Sequence, residues 1–163
     1  MIDTSGMTIL RGDGTWTWNA YIDGEDILVL NARATAFGGA NDPQDNGETA
    51  SGLSTKMNPN FLGCALPMIY TGSVKNLLAA LGGSPIPKIP WRSQVIVTEE
   101  CTGKQAIVKV IDLGPGKRTG NAIDLTVASA RIFNPNATSS NFSMMCHYRI
   151  LDAAKYAPKG ARV

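Results

Sequence analysis

The sequence predicts a mainly β fold built as one domain. Several runs alternate apolar and polar residues at period two, the signature of half-buried strands. Turn formers are plentiful, with 17 Gly and 9 Pro punctuating those runs. At 163 residues the chain can bury one proper core and is too short for two ordinary ones.

Thr15–Ile22 (TWTWNAYI) alternates bulky and polar side chains and reads as a strand. Asp23-Gly24 is a turn signal, and Asp26–Asn31 returns, so residues 1–31 read as an N-terminal β-hairpin extension. Residues 32–156 carry the main domain. It opens with Ala32–Phe37, a β-prone run ended by Gly38-Gly39. Ala40–Ser54 (ANDPQDNGETASGLS) has no periodicity and reads as a long surface loop, a place where function concentrates. A short apolar element follows at Gly63–Met68. Ser73–Gly83 reads as a short helix with a serine cap and a glycine stop, leading to a Pro-rich connector. Trp91–Thr98 and Gln105–Ile111 are the clearest strands, joined through a turn at Thr102-Gly103. A second short helix runs to Phe133, capped by Asp124 or Asn121 and stopped by Asn134-Pro135. Ser143–Leu151 reads as the last strand, and residues 157–163 as a loose tail.

Composition excludes several classes. A net charge of +2 without a Lys/Arg run argues against nucleic acid as a partner. No apolar stretch approaches the ~20 residues of a transmembrane segment. The start, Met1-Ile-Asp-Thr-Ser-Gly-Met, has neither the basic end nor the apolar core of a secretory signal. Cys64, Cys101 and Cys146 lack metal-type spacing, so neither a metal nor a cofactor is expected. Two readings of them stay open: a Cys64–Cys101 bridge with Cys146 free, or three buried thiols. His147, the only histidine, cannot form a dyad with Cys146, because strand neighbours point to opposite faces. Cys64 is its remaining thiol partner, without a nucleophile motif to support it.

The most informative stretch is Val108–Gly116 (VKVIDLGPG), followed by Asn121–Ala130 (NAIDLTVASA). An apolar strand ends in Asp112, breaks at Gly-Pro-Gly, and returns at Asp124. Two carboxylates near the ends of adjacent elements suit acid/base chemistry on a sugar. Each also has a structural reading, Asp124 as a helix cap and Asp112 as a brace for the Gly-Pro turn.

The order of these elements resembles the six-stranded double-psi β-barrel of rare lipoprotein A, with expansins and barwin-type proteins as relatives. The lytic transglycosylase A barrel and the three-aspartate domains are similar. The resemblance covers roughly Ala32 to Leu151, and its most specific parts are Asp112-Leu-Gly-Pro115 and Ile123-Asp-Leu-Thr126, supported by Thr49-Ala-Ser-Gly52. It implies a six-stranded double-psi β-barrel with an N-terminal hairpin and two short helices. It also implies a groove that binds peptidoglycan or another polysaccharide, and a periplasmic or extracellular location. Asp112 and Asp124 match the acidic positions, and cleavage would follow a lytic transglycosylase-type acid/base course. The lipoprotein pattern places an acid and then a histidine after the TASG motif; here Leu53 follows Gly52, and no histidine lies between Thr49 and Pro67. A second acid would come from Asp42, Asp45 or Glu48, with Asp45 expected at the groove. Thr49, Ser51, Glu48 and Trp91 are the substrate-binding candidates, against bland readings as loop turns, a solvated charge and a packed aromatic. The alternative functions are a non-catalytic, expansin-like glycan-binding module, or a secreted or phage-borne effector that uses the barrel as scaffold.

Overall fold

The computed structural model describes residues 2–39, 47–69 and 81–157. Eight strands run in chain order: β1 (Thr8–Leu10), β2 (Asn19–Asp23), β3 (Asp26–Phe37), β4 (Gly63–Leu66), β5 (Gln94–Glu99), β6 (Gln105–Leu113), β7 (Ile123–Thr126) and β8 (Ser143–Ile150). Six of them close a barrel in the order β3-β7-β4-β6-β5-β8, with β8 pairing back onto β3. β1 and β2 extend the sheet from the β3 edge. The pairs β3–β7 and β4–β6 are parallel, and the other barrel pairs are antiparallel. A mainly β, closed six-stranded barrel with two additional strands is therefore the architecture. Closure removes the exposed edges that an open sheet of this size would present.

The barrel interior is filled from alternate positions. Val95 and Val97, Val108 and Val110, Ile123 and Leu125, Cys146 and Ile150 are all fully buried. Tyr148 is buried with them, and its hydroxyl donates to the Ala122 carbonyl at 2.8 Å, which satisfies its polar tip.

Two bulges change which side chains face in. In β3 the register against β8 slips between Val29 and Ala32, where Asn31 takes a left-handed φ of 58°. Asparagine tolerates that conformation better than most residues. Before the slip Ile27 and Val29 lie in the core; after it Ala32, Ala34 and Ala36 do. The runs expected separately at Asp26–Asn31 and Ala32–Phe37 are thus one strand with a shifted face. In β6, Cys64 of β4 pairs with Val110 but Ala65 pairs with Asp112, leaving Ile111 as the extra residue. Val110 and Ile111 are consequently both buried, and Asp112 is turned away from the interior.

Other boundaries differ from expectation. Trp16 and Trp18 precede β2 rather than belonging to it; their rings pack 5.1 Å apart, with Trp18 buried. The second helix, α1 (Val127–Phe133), is capped by Thr126, whose hydroxyl accepts the Ser129 amide, so neither Asp124 nor Asn121 caps it. Asp124 lies inside β7, held there by ladders on both sides. Single 3-10 turns occur at Lys117–Thr119 and Ala154–Tyr156. The helix expected from Ser73 falls almost wholly outside the described residues, as does most of the 157–163 tail. Among the described residues, no helix is long and apolar enough to cross a membrane.

Candidate functional site

The two motif aspartates come together on the outer face of the barrel. Asp124 is paired with Ala65 across β7–β4, and Ala65 with Asp112 across β4–β6. On its other side Asp124 is paired with Thr35 of β3, and Thr35 with Ser143 of β8. Residues paired across a ladder share a face. Ser143, Thr35, Asp124, Ala65 and Asp112 therefore form one transverse row, with the aspartate Cα atoms two strand spacings, roughly 10 Å, apart. The row faces outward because its strand neighbours Ala34, Ala36, Ile123, Leu125, Cys64 and Leu66 fill the core.

The two carboxylates have different surroundings. Asp124 is half-buried, and its Oδ1 accepts a hydrogen bond from the Thr35 hydroxyl. Burial raises its pKa above the ordinary 3.8, and the Thr35 hydrogen bond opposes that rise in part. The Asn121 amide in turn donates to Thr35 Oγ1 at 3.5 Å. Asp112 Oδ1 instead accepts two backbone amides, from Ala50 at 3.0 Å and from its own neighbour Leu113 at 2.9 Å. With the Ser51 amide on the Ile111 carbonyl at 3.1 Å, this fastens the TASG loop to the end of β6. Asp112 thus anchors a loop, close to the bracing reading of the sequence, although the segment braced is the loop at 49–52.

The loop candidates divide. Thr49 donates to the Leu53 carbonyl at 2.8 Å and lies 2.9 Å from Ser51 Oγ, so both hydroxyls are engaged within the turn. Gly52 has a φ of 89° there, which a side chain would strain. Glu48 is exposed and forms a bridge with Ser54. Asp42 and Asp45 lie outside the described residues. Trp91 packs partly against the core just before β5, and the Lys88 ammonium sits 3.6 Å from its ring centroid. One face of the indole is therefore already covered by a cation.

The thiols match neither sequence reading. Cys64 lies inside the barrel, Cys101 is exposed at the β5–β6 turn, and all three are free. Burial raises the Cys64 pKa and pushes Cys146 up to about 12, so neither is a ready nucleophile. His147 faces outward, with Nδ1 2.8 Å from Glu100, away from Cys64. Among the described residues no cluster of His, Cys, Asp and Glu could hold a metal.

Sequence reading missed as site residues Thr35, which bonds Asp124, and Asn121, which bonds Thr35. The alternation in Arg33-Ala-Thr-Ala-Phe37 already separates Thr35 from the small core residues on either side. Its pairing with Asp124, 89 positions away, is a parallel contact that local pattern cannot reveal.

The chain matches no protein-family model and none of the curated proteins.

Proposed function

We propose that the protein cleaves a polysaccharide, with Asp124 as its acid/base group, on a barrel of the double-psi type. The observation that carries this is the state of Asp124: half-buried, raised in pKa, on the outer face, with one hydroxyl partner. A carboxyl group in that state holds a proton closer to neutral pH than an exposed aspartate does. The two parallel pairs within a closed six-stranded barrel support the double-psi reading, and the Asp-Leu-Gly-Pro and Ile-Asp-Leu-Thr motifs support peptidoglycan as the glycan.

One carboxyl suffices for a transglycosylase course. Asp124 donates its proton to the glycosidic oxygen as the bond from the anomeric carbon to that oxygen breaks. The carboxylate left behind then takes the proton from a hydroxyl of the same sugar, whose oxygen closes on the anomeric carbon. Asp124 ends protonated, the products are a shortened chain and an anhydro sugar, and no water is consumed. Thr35 holds the carboxyl in place, while Asp112 positions the loop beside it.

The test is digestion of purified peptidoglycan sacculi, with soluble products read by mass spectrometry beside Asp124→Asn. Anhydro-muropeptides released by the unmutated protein alone are expected. Equal release by the variant would remove Asp124 from the chemistry. The second reading, a glycan-binding module without cleavage, is favoured by the engagement of Asp112 with two amides, which leaves a single lightly bonded acid in the row. Retention on sacculi without released sugar is its outcome.

A further inference from the structure

A cavity of about 320 Å³ opens beyond the Thr126 end of β7, between the loop at 55–61, α1 and residues 138–140. Its volume falls within the range of small-ligand sites. Thr126, which lines it, lies two residues from Asp124 on the same face of β7, roughly 7 Å along the strand. The cavity is thus placed to receive the sugar next to the one attacked.

Its lining mixes apolar surface, from Phe61 and Val127 among others, with hydrogen-bonding groups, and carries charge of one sign. Asn58, Asn60, Ser139 and Ser140 contribute amides and hydroxyls, and Arg131 is the only charged residue among the described residues that line it. Arg131 is exposed, its Nε donates to the Ala137 carbonyl at 3.1 Å, and among the described residues no carboxylate pairs with it. A second guanidinium, Arg92, stands 5.2 Å from the ring centroid of Phe61, another lining residue. A fixed guanidinium with uncommitted Nη donors, among neutral hydrogen-bonding groups, recognises a carboxylate on a polyhydroxyl body.

We propose that this cavity is a saccharide subsite selecting a sugar unit that bears a carboxylate, with Arg131 as the recognising residue. This rests on the glycan reading of the Asp124 face and specifies its substrate as an acidic saccharide.

The experiment is calorimetric titration of Asp124→Asn, which prevents turnover, with two probes of equal length. One is a peptidoglycan-derived tetrasaccharide with free carboxylates, and the other is the same molecule with those groups amidated. Preference for the free-acid probe is expected. Adding Arg131→Gln lowers affinity for the acid probe about tenfold, the scale of a charge-assisted hydrogen bond, and weakens the amidated probe by a markedly smaller factor. Arg131→Lys keeps part of the preference. Equal binding of both probes before Arg131 is altered, or equal weakening of both by Arg131→Gln, overturns the subsite while leaving the glycan reading intact. Binding of neither probe overturns the glycan reading and the subsite with it. Filling the cavity with Ser139→Trp provides a check that does not depend on Arg131: it should weaken the tetrasaccharide but not a disaccharide, and equal affinity for the tetrasaccharide overturns the subsite.

Discussion

Asp112 and Asp124 stand in one row of the sheet, separated by Ala65 and presented on the same face, yet their surroundings give them different work. Asp112 sits at the end of β6 and holds two backbone amides, one from the loop at 49–52 that the Ser51 amide also ties to β6. Asp124 sits inside a short strand, flanked by ladders on both sides, so its carboxyl is half-buried and the bond described for it is to a threonine hydroxyl. Burial favours the neutral form of Asp124, and the Thr35 hydrogen bond offsets it only in part. The comparison teaches that two motif carboxylates in one row need not share one role: their neighbours decide which of them ties down a loop.

The sharpest way to break this contrast is to neutralise each acid in turn. Asp124→Asn should lower glycan cleavage by about a thousandfold, within the range attributed to general acid/base groups. Asp112→Asn keeps an oxygen that accepts both amides, so its activity should stay within several-fold of the unmutated protein. Equal losses in the two variants, measured as initial rates of product release, would dissolve the distinction.

Removing the Asp112 side chain altogether probes its anchoring role. Asp112→Ala leaves the Ala50 and Leu113 amides without their acceptor and should cost about 2 kcal/mol in denaturant unfolding. Proteolysis should show earlier cutting within 47–56 in this variant but not in Asp112→Asn. Unchanged stability would mean the loop is held by other contacts.

Several barrel strands were legible in the sequence, and the outer row only in part. The runs at Trp91–Thr98, Gln105–Ile111 and Ser143–Leu151 contain β5, β6 and β8 because period two survives intact through β5, most of β6, and β8. Extended straight through, the same alternation carries Asp112 into the core behind Val108 and Val110, and carries Thr35 in behind Ile27 and Val29. The bulges at Ile111 and Asn31 reverse both. A bulge is one residue of mismatch against a partner strand remote in sequence, so its effect depends on pairing that no local window contains. Asp124 was found from its motif but misplaced as a cap, because Asp before an apolar helical run is a strong start signal. Thr126, two residues later, performs that task instead.

Thr35 tunes the comparison more gently. Its hydroxyl favours the ionised form of Asp124, so Thr35→Val should move the Asp124 pKa further up. The limb of the pH–rate profile that reports loss of the protonated acid then moves to higher pH. Cleavage on the alkaline side should rise relative to the optimum by several-fold, even where the peak rate falls through looser positioning. A limb that stays in place would show that another group sets it.

The smallest expected effect concerns stability, and its sign separates a functional acid from a structural one. Asp124 binds its proton more tightly in the folded chain than in the unfolded one, whose value is near the ordinary 3.8. From that pH upward the unfolded state loses its proton first, so the carboxyl erodes stability as pH rises until the folded group has also ionised. Asn cannot ionise and still accepts the Thr35 hydrogen bond. Asp124→Asn should therefore be more stable than the unmutated protein at pH 7 by about 1 kcal/mol, with the gain shrinking toward zero below pH 3.8. Paired urea unfolding curves at the two pH values measure this. A gain at neutral pH alone marks an acid kept in a position the fold would not choose, whereas a loss there marks a carboxylate that holds the barrel together.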